Sequence, residues 1–301
     1  MKEGTGRIAA RLLEGPLLLD GAMGTELMKK GLPPGAPPEG WVLTRPHAVF
    51  GVHAACAAAG ADALYTCTFG ANRLVVARHG LADRLDVINR KAVELAQMAG
   101  RAKHLLVIGD IGPTGAVLEP YGDLAPAEAR AAFTEQARLL VAAGVDGIVV
   151  ESFADPTEAT LAVAAARDAR APFIIATMAF EGPGRHFRTV MGAGPEEAAE
   201  ALVRAGAHAV GLNCGGDTPA MPEVVRRMCA AVPGIPIVAK PNAGLPSRVR
   251  VDGPAPEGPE AFARISRDLA MAGARLIGGC CGTTPAHLEA VHTSLSAAAQ
   301  R

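Results

Sequence analysis

No cluster of lysine and arginine longer than Arg248-Val249-Arg250 occurs in the chain. With 29 basic and 30 acidic residues and a formal net charge of -1, the electrostatic footprint of a nucleic-acid or anionic-membrane binder is missing. A small molecule is the expected partner. Long apolar runs are missing too: none approaches the roughly 18 residues of a membrane span. The first such run, Leu17 to Leu19, follows the charged opening Met1-Lys2-Glu3 and is too short for the core of a secretion signal. A cytoplasmic protein is expected. Cysteine is sparse, six in 301 residues, which excludes a disulfide scaffold. In a reducing compartment, cysteines beside glycines point instead to metal binding or chemistry. The adjacent Cys280 and Cys281 pair poorly with each other, because a bridge between neighbours strains the peptide joining them. No stretch reads as a linker, so residues 1–301 are expected to form one domain.

What the chain does have is repetition. Half of its residues are hydrophobic, enough for a large core. They fall into short apolar strands that alternate with amphipathic, alanine-rich stretches, the pattern of a parallel α/β sheet. Strands end at Asp20, Thr66, Asp110, Glu151, Thr177, Asn213, Lys240 and Gly278. Helices are expected over 46–60, 80–100, 126–143, 156–169, 195–205, 219–231, 258–272 and 285–298. A joint of the form Ala-Gly-(Ala or Val)-polar precedes strands two, four, six and eight, at Ala59 to Asp62, Ala143 to Asp146, Ala205 to His208 and Ala272 to Arg275; its glycine suits a left-handed helix cap. Eight such units fit a single (β/α)8 TIM barrel. The competing architecture is an open doubly wound sheet, against which stands the lack of a Gly-x-Gly-x-x-Gly fingerprint after the first strand. Proline and glycine gather in 31–40, 181–195 and 242–259, each following a strand, on the face where a barrel carries its binding loops.

Three cysteines stop apolar runs among glycines: Cys214 in Gly211-Leu212-Asn213-Cys214-Gly215-Gly216, and the pair in Gly278-Gly279-Cys280-Cys281-Gly282. Along a regular strand Cys280 and Cys281 would face opposite ways; the surrounding glycines let the backbone turn so that both can face one ion. Three thiolates from the ends of strands six and eight suit zinc with one position left for substrate. Such a centre is a poor activator of water and a good holder of a substrate thiol, whose free pKa of about 8.5 leaves little thiolate at neutral pH. Attack of the bound sulfur on a methyl group follows. Asp20 and Glu151, at the ends of strands one and four, suit an ammonium group, and the amides of Gly21-Ala22-Met23-Gly24 suit a carboxylate; a turn or capping role for Asp20 and an internal salt bridge for Glu151 are the alternatives. Asp110 and Lys240 are read as a pair. Cys56 and Cys229, inside helices, are read as small hydrophobes, and Cys67 as either a neighbour of the site or a core residue. His53, His186, His208 and His287 show no ligand spacing.

Together these motifs, with Asp20-Gly21-Ala22-Met23-Gly24-Thr25, Thr68 to Arg73, Gly109 to Gly115, Glu119 to Asp123 and Lys240-Pro241-Asn242-Ala243-Gly244-Leu245-Pro246, resemble the homocysteine S-methyltransferase family over nearly the whole chain. The resemblance implies a (β/α)8 barrel, zinc on Cys214, Cys280 and Cys281, homocysteine as the thiol that becomes methionine, and its amino-acid end near Asp20, Gly21 and Glu151. Two departures bear on the methyl donor. Tyr65-Thr66-Cys67-Thr68-Phe69 stands where family members often have Glu-Thr-Asn-Thr-Phe, and Ser152 stands where betaine enzymes have tyrosine. With no cobalamin- or folate-binding segment after residue 301, a corrinoid donor is expected to arrive on another protein. The readings carried forward are direct transfer from a small-molecule donor, service as the acceptor subunit of a corrinoid system, and a noncatalytic zinc- or thiol-binding protein.

Overall fold

Proline starts the helices and glycine ends them. In the computed structural model, which describes residues 6–182, 186–216, 218–243 and 257–299, the helices are α1 (Gly6–Glu14), α2 (Gly24–Lys29), α3 (Pro38–Thr44), α4 (Pro46–Ala58), α5 (Arg73–Arg78), α6 (Leu85–Gly100), α7 (Pro126–Ala142), α8 (Pro156–Asp168), α9 (Pro195–Ala205), α10 (Met221–Ala231), α11 (Pro259–Met271) and α12 (Pro285–Ala299). Seven of them open on proline, whose fixed φ and missing N–H suit the first helical turn. The glycines of the four joints, Gly60, Gly144, Gly206 and Gly273, all take positive φ, from 85° to 116°, so each helix stops where the next strand starts. In three of the four joints the closing polar residue then caps the start of a strand. Asp62 accepts the Leu18 N–H at 2.8 Å, Asp146 the Val107 N–H at 2.8 Å, and His208 Nδ1 the Ile174 N–H at 2.9 Å, amides that would otherwise be buried unpaired.

The strands are β1 (Leu17–Leu18), β2 (Ala63–Tyr65), β3 (Leu106–Ile111), β4 (Gly147–Phe153), β5 (Ile174–Met178), β6 (Ala209–Asn213), β7 (Ile237–Lys240) and β8 (Ala274–Ile277). All pair in parallel, in the order β1-β8-β7-β6-β5-β4-β3-β2, and a further bridge between Leu19 and Ala63 joins the two ends. The result is the (β/α)8 barrel; the open sheet is excluded. Strand residues alternate between two cores, as a pleat requires. Leu17, Leu19, Ile108, Val149, Ile175, Val238 and Leu276 fill the barrel, while Leu18, Val107, Ile148, Ile174, Val210 and Ile277 face the helices.

Four helices lie outside the eight expected stretches: α1, α2, α3 and α5. Of these α1 closes the amino-terminal end of the barrel. It buries Ile8 and Leu12 in the inner core, each worth about 1.5–3 kcal/mol, and Arg7 reaches Asp146 and the His104 carbonyl. The stretch 31–40 runs into α3 and packs with α2 and α4 through Leu27, Leu32, Trp41, Val42 and Val49, building a wall beside the opposite, carboxyl-end mouth. Residues 183–185 and 244–256, within the other two Pro- and Gly-rich stretches, lie outside the described residues, as do Gly244, Leu245 and Pro246 of the Lys-Pro-Asn motif and Arg248 and Arg250. Among the described residues no helix is long and apolar enough to cross a membrane.

Candidate metal centre

The expected site residues gather on the carboxyl-end face, Asp20, Gly21, Cys214, Cys280 and Cys281 just past their strands and Glu151 near the end of β4. After β6 the backbone turns sharply: Cys214 has φ of 58° and Gly215 of 78°. A Cβ at Gly215 would lie 2.3 Å from the Phe180 carbonyl, so only glycine fits there. After β8, Gly279 N–H donates to the Asp20 carbonyl (3.0 Å) and Cys280 N–H to that of Pro241 (2.8 Å). These bonds carry the backbone out of the strand. Thr283, fully buried, fastens this turn, donating from Oγ1 to the Cys280 carbonyl (2.7 Å) and accepting the Ala22 N–H (3.0 Å). It packs so closely that a Cβ at Gly279 or Gly21 would lie 2.5 or 2.9 Å from its hydroxyl.

The turn brings the Sγ atoms of Cys214, Cys280 and Cys281 within 4.8 Å of one another. Tetrahedral coordination with Zn–S near 2.3 Å sets sulfurs about 3.8 Å apart, so the trio fits a thiophilic ion with small side-chain adjustments. Their protons are unequally held. Hydrogen bonds from Cys280 and Cys281 push the Cys214 thiol far down, to about 3, while the same bonds to Cys214 raise both partners. A cluster that gives up its first proton this readily favours cation binding. The other cysteines stand apart. Cys56 lies in the core and Cys229 is half-buried in α10. Cys67 packs against the α3 wall and also lines the cavity of the site; burial pushes its thiol well above the ordinary range.

Asp20 and Glu151 reach the same mouth, and there the pairing differs from expectation. Lys240 does not pair with Asp110. Its ammonium lies 3.3 Å from Asp20 Oδ1, 3.2 Å from Glu151 Oε1 and 3.6 Å from the centre of the Tyr65 ring. Burial opposes its charge, but Glu151 and Asp20 hold it protonated well above the ordinary range. Asp20 also accepts the Tyr65 N–H (2.7 Å). Burial raises its carboxyl to about 6, against the pull of Lys240. Asp110 keeps Oδ1 without a hydrogen-bond partner, and burial, then Glu151, drives its pKa well above the carboxylate range. The Ala22 amide is also committed, to Thr283. Gly21 therefore serves the site by letting Thr283 approach, a reason that motif reading alone does not supply.

These groups line one cavity of about 820 Å³ that runs from the sulfurs past Lys240 and Asp110 to Glu39 and Arg78. Glu151 projects into it from an irregularity in β4, whose pairing with β5 shifts register between Val150 and Phe153.

The family model for homocysteine S-methyltransferase matches residues 17–295. The chain belongs to the homocysteine S-methyltransferase family. It is 32% identical over 291 residues to a methionine synthase of Mycobacterium tuberculosis and 29% identical over 308 residues to one of Mycobacterium leprae. These alignments take in 92% and 96% of the chain but 24% and 25% of those proteins, so it spans about a quarter of the length of the curated relatives it matches. Among solved structures, the metallated form of the homocysteine methyltransferase MmuM from Escherichia coli superposes with a TM-score of 0.77 at 25% identity, covering 95% of this chain and 99% of that one. Its oxidized form gives 0.74 at 26% identity. The donor set, three thiols and no histidine, carries this family's barrel into the chemistry of soft or borderline metals.

Proposed function

We propose that this member of the homocysteine S-methyltransferase family binds zinc through Cys214, Cys280 and Cys281 and transfers a methyl group from a small-molecule donor to homocysteine, giving methionine. The observation that carries the reading is the convergence of three thiols from β6 and β8 beside two buried carboxylates. Zinc held there supplies the positive charge that lowers the pKa of the substrate thiol and fixes its sulfur. The protein's own residues do the rest. Glu151 and Asp20 bind the substrate ammonium, dividing their oxygens between it and the Lys240 ammonium, which sets the charge of that corner. The Thr283 hydroxyl holds the cysteine turn against the Asp20 loop, so the sulfur and the amino-acid end keep a fixed separation. The barrel walls exclude water and aim the sulfur along the line of the methyl carbon. The cavity exceeds the needs of one amino acid, which supports a donor seated in the same space.

The second reading, in which the chain is the acceptor for a methyl-corrinoid carried by another protein, is favoured by the match to methionine synthases four times its length. One experiment separates the two. Zinc-loaded protein and homocysteine are offered S-methylmethionine, S-adenosylmethionine, betaine, methyltetrahydrofolate or methylcobalamin, and methionine is measured. Turnover with a free small-molecule donor is expected; turnover with methylcobalamin alone selects the second reading, and metal binding with no turnover selects a noncatalytic role. In the same assay Cys281→Ser is expected to lose zinc and activity together, and Asp20→Ala to raise the KM for homocysteine with zinc content unchanged. Full turnover by Cys281→Ser would sink the proposal.

A further inference from the structure

Asn213 ends β6 one residue before Cys214, is fully buried, and has no part in the function proposed above. Its amide is completely used. Oδ1 accepts the Ser152 N–H (3.0 Å) and the Thr177 hydroxyl (2.7 Å). Nδ2 donates to Ser152 Oγ and, at 3.6 Å, to Cys280 Sγ. Two acceptor and two donor bonds are all that an asparagine side chain makes, and in a buried setting such a saturated group fixes its neighbours. One side chain thus ties β4, β5 and the turn after β8 to β6.

Two of the residues it controls are strained. Ser152, its hydrogen-bond partner, and Cys214, its chain neighbour, have φ of 63° and 58°, a left-handed conformation that costs a non-glycine residue about 1–3 kcal/mol. Ser152 lies inside the register shift of β4, where the regular ladder to β5 is interrupted. The Asn213 carbonyl accepts its N–H there. Glu151, immediately before, is thereby held in the orientation that faces the cavity. On the other side of the amide, the N–H directed at Cys280 Sγ fixes that thiol's rotation.

We propose that Asn213 is the positioning residue that couples the thiol centre to the carboxylate corner: its N–H holds Cys280 facing Cys214 and Cys281, and its carbonyl holds the irregular strand that carries Glu151. The inference rests on the metal-binding reading above. Outer partners that orient a ligand commonly change metal affinity 10–100-fold when lost, a scale well within measurement.

The two halves of the amide can be separated. Asn213→Asp keeps the acceptor for Ser152 N–H and Thr177, and the Ser152 hydroxyl can turn to donate to it in place of the lost Nδ2 bond, but it removes the donor to Cys280; Asn213→Ala removes all of them. Zinc affinity is read by competition with a chromophoric chelator, and the homocysteine KM is read at saturating zinc. Expected for N213D are a 10–100-fold fall in zinc affinity and a shifted thiolate-to-metal charge-transfer band in the cobalt-loaded protein, with a homocysteine KM within about threefold of wild type. N213A is expected to show the same fall in affinity and a KM raised at least tenfold. A second pair avoids dependence on Asn213 variants that fold poorly. Thr177→Val, which frees the amide to rotate, is expected to lower zinc affinity several-fold, and Thr177→Ser, which keeps the hydroxyl, to restore it. N213D with wild-type affinity and band, or T177V and T177S with equal affinity, overturns the inference. Wild-type protein that makes no methionine with any donor, yet binds zinc more tightly than N213D, would refute the proposed reaction and support the role of Asn213.

Discussion

His53 offers a test of how burial sets protonation in this fold. It sits in α4, 1% exposed, with Nε2 lacking any partner, and burial lowers its pKa from 6.5 to about 4. The folded form excludes a proton that the unfolded chain accepts, so His53 costs nothing above pH 6.5 and destabilises progressively as the pH falls toward 4. At about 1.36 kcal/mol per pH unit the full gap corresponds to about 3 kcal/mol, of which about 2 kcal/mol falls between pH 7 and pH 5. Raw stability does not display this cleanly. Asp20, whose folded pKa is raised to about 6, has the opposite sign: it gains stability as the pH falls through that value and offsets part of the His53 effect, about 1 kcal/mol, over the same interval. The informative quantity is therefore the difference between wild type and His53→Leu, in which the acidic groups cancel. Urea unfolding at pH 7 and pH 5 is the assay. The stability of H53L relative to wild type is expected to improve by about 2 kcal/mol at the lower pH. Equal shifts in the two proteins would show that His53 titrates as an exposed imidazole and would refute the reasoning.

Lys240→Met removes the cation between Asp20 and Glu151. An opposite charge at this range holds a carboxyl down by about one to three pH units, so without it both groups should keep their protons to higher pH. The homocysteine KM is expected to rise about tenfold or more at pH 7 and to recover toward pH 9; a KM that does not change with pH in the variant would count against the pairing. Gly211→Ala places a Cβ 1.9 Å from the Val238 carbonyl on the adjacent strand. It should cost about 3 kcal/mol or more by forcing β6 from β7, seen as a lower urea midpoint; an unchanged midpoint would contradict the register.

The barrel was largely legible because its punctuation is chemical. Pro46, Pro126, Pro156, Pro195, Pro259 and Pro285 mark helix starts, and Gly60, Gly144, Gly206 and Gly273 mark helix ends, each through its own backbone preference. The expected strand ends fall within two residues of the observed ones. What a periodicity count does not capture is packing between units. Short α1 is recognisable only once the barrel floor that takes Ile8 and Leu12 exists, and α3 depends on the wall that receives Trp41. At the mouth, the cysteine trio was readable because glycines flank it. The partners of Lys240 were not, because which strand ends lean together across the mouth is invisible along the chain. Counting β7-β6-β5-β4-β3 puts Asp110 four strands away, whereas β7-β8-β1 puts Asp20 only two away. Asn213 left one signal, a polar residue closing an apolar run directly before a cysteine, and its meaning depends on neighbours from three other strands.

The hydrogen bond from Gly279 to the Asp20 carbonyl joins the first strand-end of the barrel to the last. Nothing made early in synthesis can therefore do the chemistry in part: a growing polypeptide carries its carboxylates through most of its length without a complete set of sulfurs beside them. Two thirds of the thiol set, and the clasp that seats it, emerge together after the eighth strand. Assembly of the centre is thus timed to closure of the ring, and an unfinished barrel has no cradle in which to trap an ion in the wrong company.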